Sequence, residues 1–235
     1  MKKLVLSICL LIVGCLLVGC GSSSSNIEFK KYSNEVEYTA FESALAKAYE
    51  ESILANELEQ DFVYKMITIN DVTNGSYQKV VSEYEVDYDK VVFKLNYDRV
   101  DDDRNGEKKQ EKDVYYYYIP EGETRTMMLR ESDGLSTRGD KTMRTLVSDI
   151  SWKINDIPLS AVSQYGRFSK CYIDGNVYTI ILKDDALSKT YQVEFSKNKI
   201  SMVMEEYSNK NNIENSSKSL YEVTLKGVNI SKKFE

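Results

Sequence analysis

From residue 62 onward the chain places apolar side chains at every second position, a period that fits an extended strand with one buried face and excludes a helical one. Phe62, Tyr64 and Met66 start the pattern, and past Asn74-Gly75 it resumes with Tyr84, Val86 and Tyr88 set between Glu83, Glu85 and Asp87. The turn dipeptide between the two runs predicts a hairpin. Val91, Phe93, Leu95 and Tyr97 then share one face while Lys94 and Asn96 take the other. A charged loop is expected from Asp98 to Asp113, before the run Val114 to Ile119 and the turn Pro120-Glu121-Gly122. Tyr115 to Tyr118 put aromatic rings on both faces of one strand, which fits either cover on both sides or the ordinary β propensity of tyrosine. Further strands are predicted at Thr126–Arg130, Phe168–Ile173, Val177–Leu182, Tyr191–Phe195, Ile200–Tyr207 and Leu220–Val228, giving about ten in all. With a turn at Lys197-Asn198, Phe195 pairs with Ile200, Val193 with Met202 and Tyr191 with Met204, all on one apolar face. The polar stretch Ser208 to Ser219 is expected to be a loop.

Two segments depart from this period. Thr39-Ala40-Phe41-Glu42 has the form of a capping box, and Phe41, Ala44, Leu45 and Ala48 follow at helical spacing, predicting a helix over residues 39–56. Between Asp140 and Gln164, Met143, Leu146, Val147 and Ile150 fall at i, i+3, i+4 and i+7, followed by Trp152 and Ile154, which predicts a second helix or helical pair in mid-chain. The fold class is α+β, mainly antiparallel β, with an N-terminal helix and a mid-chain helical insert. Asp174-Gly175 is a further predicted turn.

The N-terminus carries a different signal. Met1-Lys2-Lys3 precedes an apolar run from Leu4 to Val18, the layout of an export signal. That run is short of the roughly 20 residues that a permanent membrane helix needs. Its end, Leu17-Val18-Gly19-Cys20, resembles the lipobox of bacterial lipoproteins, which implies cleavage before Cys20, a diacylated Cys20 and an extracytoplasmic, membrane-anchored protein. Gly21 and Ser22 to Ser25 have no apolar side chain to bury and suit a flexible tether. The expected organisation is signal 1–19, tether 20–33 and one mainly β domain over 34–235. Each buried methylene of an acyl chain contributes about 0.8 kcal/mol, so two or three chains make a firm anchor.

Composition narrows the functional classes. Removing residues 1–19 from 235 leaves 216, and loss of Lys2 and Lys3 moves the formal charge from −6 to −8, which argues against nucleic acid as a partner. Histidine is absent, which removes Ser-His-Asp and Cys-His catalysis and His-ligated zinc. Cys171 lies in the apolar Cys171-Tyr172-Ile173 and is expected to be a buried packing residue. Ser169-Lys170 and Ser188-Lys189 are adjacent in strands, so their side chains face opposite sides and do not make a Ser-Lys pair. No catalytic role and no cofactor is expected, and the chain is read as not an enzyme. Asp101, Asp103, Asn105 and Gly106 match the first half of a calcium loop. The second half fails, with Lys112 where a bidentate glutamate is required, so a solvated charged hairpin is favoured over a weak metal site.

The element order behind the lipobox resembles the lipoprotein-carrier and LppX-type family over nearly the whole mature chain. That resemblance implies a curved half-barrel of antiparallel strands closed by helices, with a hydrophobic cavity between them for a lipid or another hydrophobic ligand. Phe62, Met66, Met127, Trp152 and Met202 are the candidate lining. The alternative is a lipoprotein with a filled core that contacts another envelope protein or plays a structural part.

Overall fold

The computed structural model describes residues 27–56, 58–73, 75–103, 107–155, 157, 169–183, 187–210 and 213–234. The elements are β1 (Glu35–Val36), α1 (Tyr38–Glu50), a 3-10 turn (Ile53–Asn56), β2 (Phe62–Val72), β3 (Tyr77–Asp87), β4 (Val92–Asp102), β5 (Lys108–Tyr118), β6 (Met127–Arg130) and β7 (Ser136–Arg138). They continue with α2 (Met143–Asn155), β8 (Lys170–Asp174), β9 (Val177–Lys183), β10 (Leu187–Ser196), β11 (Lys199–Lys210) and β12 (Ile213–Leu225). All twelve strands form one open, curved antiparallel sheet in the order β1-β8-β9-β10-β11-β12-β2-β3-β4-β5-β6-β7. Two meanders, β2 to β7 and β8 to β12, are thus joined along β12 and β2. The mainly antiparallel curved sheet with two helices is the expected fold class. The two strands beyond the expected ten are β1 and β7, edge strands of two and three residues, too short for a period to register.

Register builds one apolar inner face. Phe62 pairs with Val86 and Tyr64 with Tyr84. Val86 meets Phe93, and Phe93 meets Tyr117, whose ring stacks on it at 4.6 Å between centroids. The expected pairs Phe195–Ile200, Val193–Met202 and Tyr191–Met204 are all present. Helix α1 covers this face beside β8 through Phe41 and Leu45, and α2 covers it beside β12 through Leu146, Ile150 and Ile154, all essentially inaccessible. The Tyr49 hydroxyl donates to the Ile154 carbonyl at 2.7 Å and ties the two helices together.

Local chemistry explains the helix ends. The first helix begins one residue before the expected position, with Glu37 at its N-cap, so Thr39 lies in the first turn and no capping box forms. It stops at Glu50 because the Ser52 hydroxyl engages the backbone, donating to Tyr49 O at 2.8 Å and accepting from Leu54 N–H at 3.2 Å. In α2 the capping is reciprocal: Thr145 N–H donates to Thr142 Oγ1 at 3.1 Å, and Thr142 N–H donates to Thr145 Oγ1 at 2.8 Å.

The outer face is crossed by both chain ends. Ile27 is buried with Ile67 and Val203, flanked by Phe29 and Leu220. Lys30 N–H donates to Gln192 Oε1 at 2.6 Å, and Gln192 Nε2 donates back to Lys30 O at 3.0 Å and to Thr179 Oγ1 at 2.8 Å. Residues 27–33, expected in the tether, are therefore a strap on the sheet. The folded part starts by Ile27, because Ile27 and Phe29 are apolar and find an apolar surface, unlike the serines before them. Ile27 and Phe29 at one end and Ile230 and Phe234 at the other belong to the packed fold, all within residues 27–235. At the other end, residues 226–234 cross β4 to β6, with Ile230 buried against Val92, Tyr116 and Tyr118 and Phe234 stacked on Tyr118 at 4.2 Å. Tyr115 and Tyr117 face the helices while Tyr116 and Tyr118 face this tail, so the tyrosine run is covered on both sides.

Three segments differ from expectation. Residues 98–113 are largely strand instead of loop, because opposite charges face each other across the β4–β5 ladder, as in Lys112–Asp98 at 2.9 Å. In the Ser208–Ser219 stretch the described residues, 208–210 and 213–219, are strand for the same reason, with β12 paired to both β11 and β2 and Lys218 on Glu205 at 2.9 Å. Val91 is not in β4. It occupies a left-handed turn position, φ 53°, and is 42% exposed.

Candidate functional site

The expected cavity lining does not assemble. Phe62 and Met202 are on the inner face but fully packed, and Met66 lies half-buried in the same row, where Met202 pairs with Tyr221 and Tyr221 with Met66. Met127 is on the outer face under the C-terminal tail, because Tyr117 pairs with Met128 and adjacent strand residues point opposite ways. Trp152 is 61% exposed. It lies two residues from Ile150, roughly 200° around the helix, so the stripe that buries Ile150 turns Trp152 outward. Its ring is instead covered by Lys153 Nζ at 4.4 Å from the centroid.

The two described calcium candidates each accept hydrogen bonds from other groups. Asp101 accepts from Arg99 Nε at 2.7 Å and Gln78 Nε2 at 2.9 Å, bonds that hold its carboxyl below the ordinary range. Asp103 accepts from Glu107 N–H at 3.1 Å, within the turn. Asn105 and Cys20 lie outside the described residues. Among the described residues no group of three or more His, Cys, Asp or Glu side chains converges as a metal site, and no helix is long and apolar enough to cross a membrane. Cys171 is buried on the inner face, and burial pushes its thiol up to about 11, which keeps it protonated at neutral pH.

Two clefts open among the described residues, and one of them is at the rim of the sheet. A cleft of about 590 Å³ on the outer face is floored by charged strand residues such as Lys65, Glu83 and Lys112. A second, of about 540 Å³, lies where α2 stands over the 3-10 turn and the β3–β4 turn. It is lined by Leu54, Tyr88, Val91, Met143 and Val147 together with the polar Glu59, Arg144, Ser148 and Ser151, of which Glu59, Arg144 and Ser148 are exposed at its lip. Met143 and Val147 reach it because they flank the buried stripe of α2 rather than forming its centre.

Backbone strain concentrates there. The two described non-glycine residues with left-handed backbone are Val91, in the cleft wall, and Leu58, next to Glu59, each at φ 53°. An L side chain in that conformation is disfavoured by about 1–2 kcal/mol, and such residues gather at functional sites. On the inner face Tyr84 stays a neutral phenol. Burial first, then the nearby Asp140 and Asp149 carboxylates, push the Tyr84 hydroxyl up to about 12. Sequence reasoning found none of these lip residues, since the signal is the turn conformation at Val91, and its period there pointed into the strand. The arrangement suits retention of an apolar body under a polar head.

No protein-family model and no curated protein sequence matches the chain. Among solved structures it is similar to the S-type phycobiliprotein lyase CPES from Guillardia theta, with 10% identity over 77% of this chain and 97% of that one, at a TM-score of 0.26. The expectation that the chain is not an enzyme is corrected at this point, because the protein it is similar to is by name a lyase. At that TM-score the likeness assigns no reaction, and the expectation is withdrawn without a replacement.

Proposed function

We propose that this protein is a lipid-anchored lipoprotein of the cell envelope whose folded domain holds a lipid or other hydrophobic small molecule in the cleft beside α2. The observation that carries the binding reading is the cleft itself: an apolar volume of about 540 Å³, within the range of small-molecule sites, edged by a few polar groups and by strained backbone. The anchor reading rests on Leu17-Val18-Gly19-Cys20 and the apolar run before it. Ile27 packs on the outer face with Ile67 and Val203, so six residues lie between it and Cys20, and the seven Cα steps span at most about 25 Å. The domain is thereby held close to the bilayer, within reach of lipid.

Two measurements test this. Metabolic labelling with an alkyne fatty acid should mark the wild-type chain and not Cys20→Ser, which should leave the membrane fraction; equal labelling of both would remove the anchor. Native mass spectrometry of residues 27–235, purified without detergent, should show co-purifying lipid that Val147→Asp abolishes while the fold survives. A bare protein that also takes up no fluorescent fatty acid would remove the binding reading.

A second reading has its own support, because Phe62, Ile150 and Val223 are fully inaccessible and leave the sheet–helix space filled. On that reading the domain contacts another envelope protein, and the bare-protein outcome selects it.

A further inference from the structure

The charges at the mouth of the α2 cleft bear on what kind of head its ligand carries. Arg144 and Glu59 both stand at the lip, both are exposed, and neither makes an ion pair among the described residues. Three nearby cations are paired. Lys141 is on Asp149 at 3.3 Å, Lys47 on Glu51 at 3.7 Å and Lys90 on Asp87 at 2.7 Å. One charge of each sign without an ion pair among the described residues thus stands at a single opening.

We propose that this cleft takes a single-chain amphiphile with a zwitterionic head, its anionic group on Arg144 and its cationic group on Glu59. This rests on the binding reading above and adds the chemical class of the ligand. Leu54, Val91, Met143 and Val147 receive the chain, which loses water-exposed apolar area on entry. The guanidinium presents a fork of donors that matches a phosphate or carboxylate. Arg144 stands in the first turn of a thirteen-residue helix, whose positive dipole end adds positive polarity on the same side. A net anion would be repelled by Glu59 and a net cation by Arg144, while an uncharged head would leave both without a partner. A head with both signs complements the two together.

The test is isothermal titration calorimetry of residues 27–235 with lysophosphatidylethanolamine, lysophosphatidylglycerol and a long-chain alcohol of equal chain length, each below its aggregation concentration. The wild type should bind the ethanolamine lipid about fivefold more tightly than either of the others, the scale of one or two exposed ion pairs. Glu59→Gln should erase the preference over the glycerol lipid, and Arg144→Gln the preference over the alcohol, both with unchanged melting temperature. Equal binding of all three by the wild type, or variants that shift all three alike, would overturn the head assignment and leave the cleft as a hydrophobe site. No binding of any of the three would overturn the binding reading, and this inference with it.

Discussion

The long strands β2 to β5, β11 and β12 each pass through two environments, and the two halves of the sheet are held in different ways. Near the helices, Phe62, Tyr64, Tyr84, Val86, Phe93 and Tyr117 lie under α1 and α2 on one side, and much of the other side is closed by the N-terminal strap or the C-terminal tail. Toward the far hairpins the same strands carry Asp98 against Lys112, Glu205 against Lys218 and Glu206 against Lys189 at 2.8–2.9 Å, with water in place of a core. Backbone pairing runs unbroken through both halves. The ladder alone therefore does not say where the stability lies. Burial concentrates it in the covered half, where apolar area is removed from water, while exposed ion pairs contribute little each.

That contrast predicts unequal costs. Phe93→Ala, in the covered half, should lower unfolding free energy by about 3–5 kcal/mol in urea titration. A cost no larger than that of a hairpin substitution would end the distinction.

The C-terminal tail offers a sharper test, because it closes the outer side through two carboxylates. Asp61 accepts from Val228 N–H at 3.0 Å, and Asp87 accepts from Ile230 N–H at 3.3 Å and from Lys90 Nζ at 2.7 Å. Asp87→Asn should cost about 1–3 kcal/mol and expose the Tyr116 and Tyr118 rings to solvent, read by thermal melting and quencher access. Burial alone would raise the Asp87 carboxyl, but hydrogen bonds from Lys90 Nζ, Ile230 N–H and Lys90 N–H outweigh it and hold the group below its ordinary 3.8. Stability from a depressed carboxyl is complete above the ordinary value and is lost as pH falls through the folded one, so the tail should loosen only on the acid side of pH 3.8. Loosening near neutral pH would point to another group.

At the cleft the expected sign reverses. Val91→Gly relieves a left-handed β-branched residue and should stabilise the fold by about 1 kcal/mol, while weakening retention of hydrophobic ligand through the lost wall. Tighter ligand binding by this variant would argue against Val91 as part of the site. The smallest effect belongs to the hairpins, where Lys112→Ala should change stability by at most about 1 kcal/mol and less at high salt. A larger loss would mean that the charged ladder, and not the cover, holds the far half.

Most of the inner face was legible in the sequence, because a period of two with one apolar face leaves a single register for pairs such as Phe195–Ile200 and Val193–Met202. The hairpin lengths were not. A polar strand and a polar loop share composition, and only the opposing charge on the neighbouring strand, Lys112 for Asp98 or Lys218 for Glu205, decides between them. The candidate site was less legible still. Of the five residues expected to line it, three share the inner face but are packed, Met127 was carried outward by strand parity and Trp152 by the helical stripe.

By itself the sequence determined the strand-forming period and the two amphipathic helices, because each is written in neighbouring residues. The tertiary structure decided the rest. Residues 27–33 became a strap because a bare apolar patch on β2, β11 and β12 awaited Ile27, and the cleft arose because α2, a 3-10 turn and a turn residue at φ 53° meet from three distant parts of the chain. No local pattern records such a meeting, since what it depends on is the register and curvature of the whole sheet.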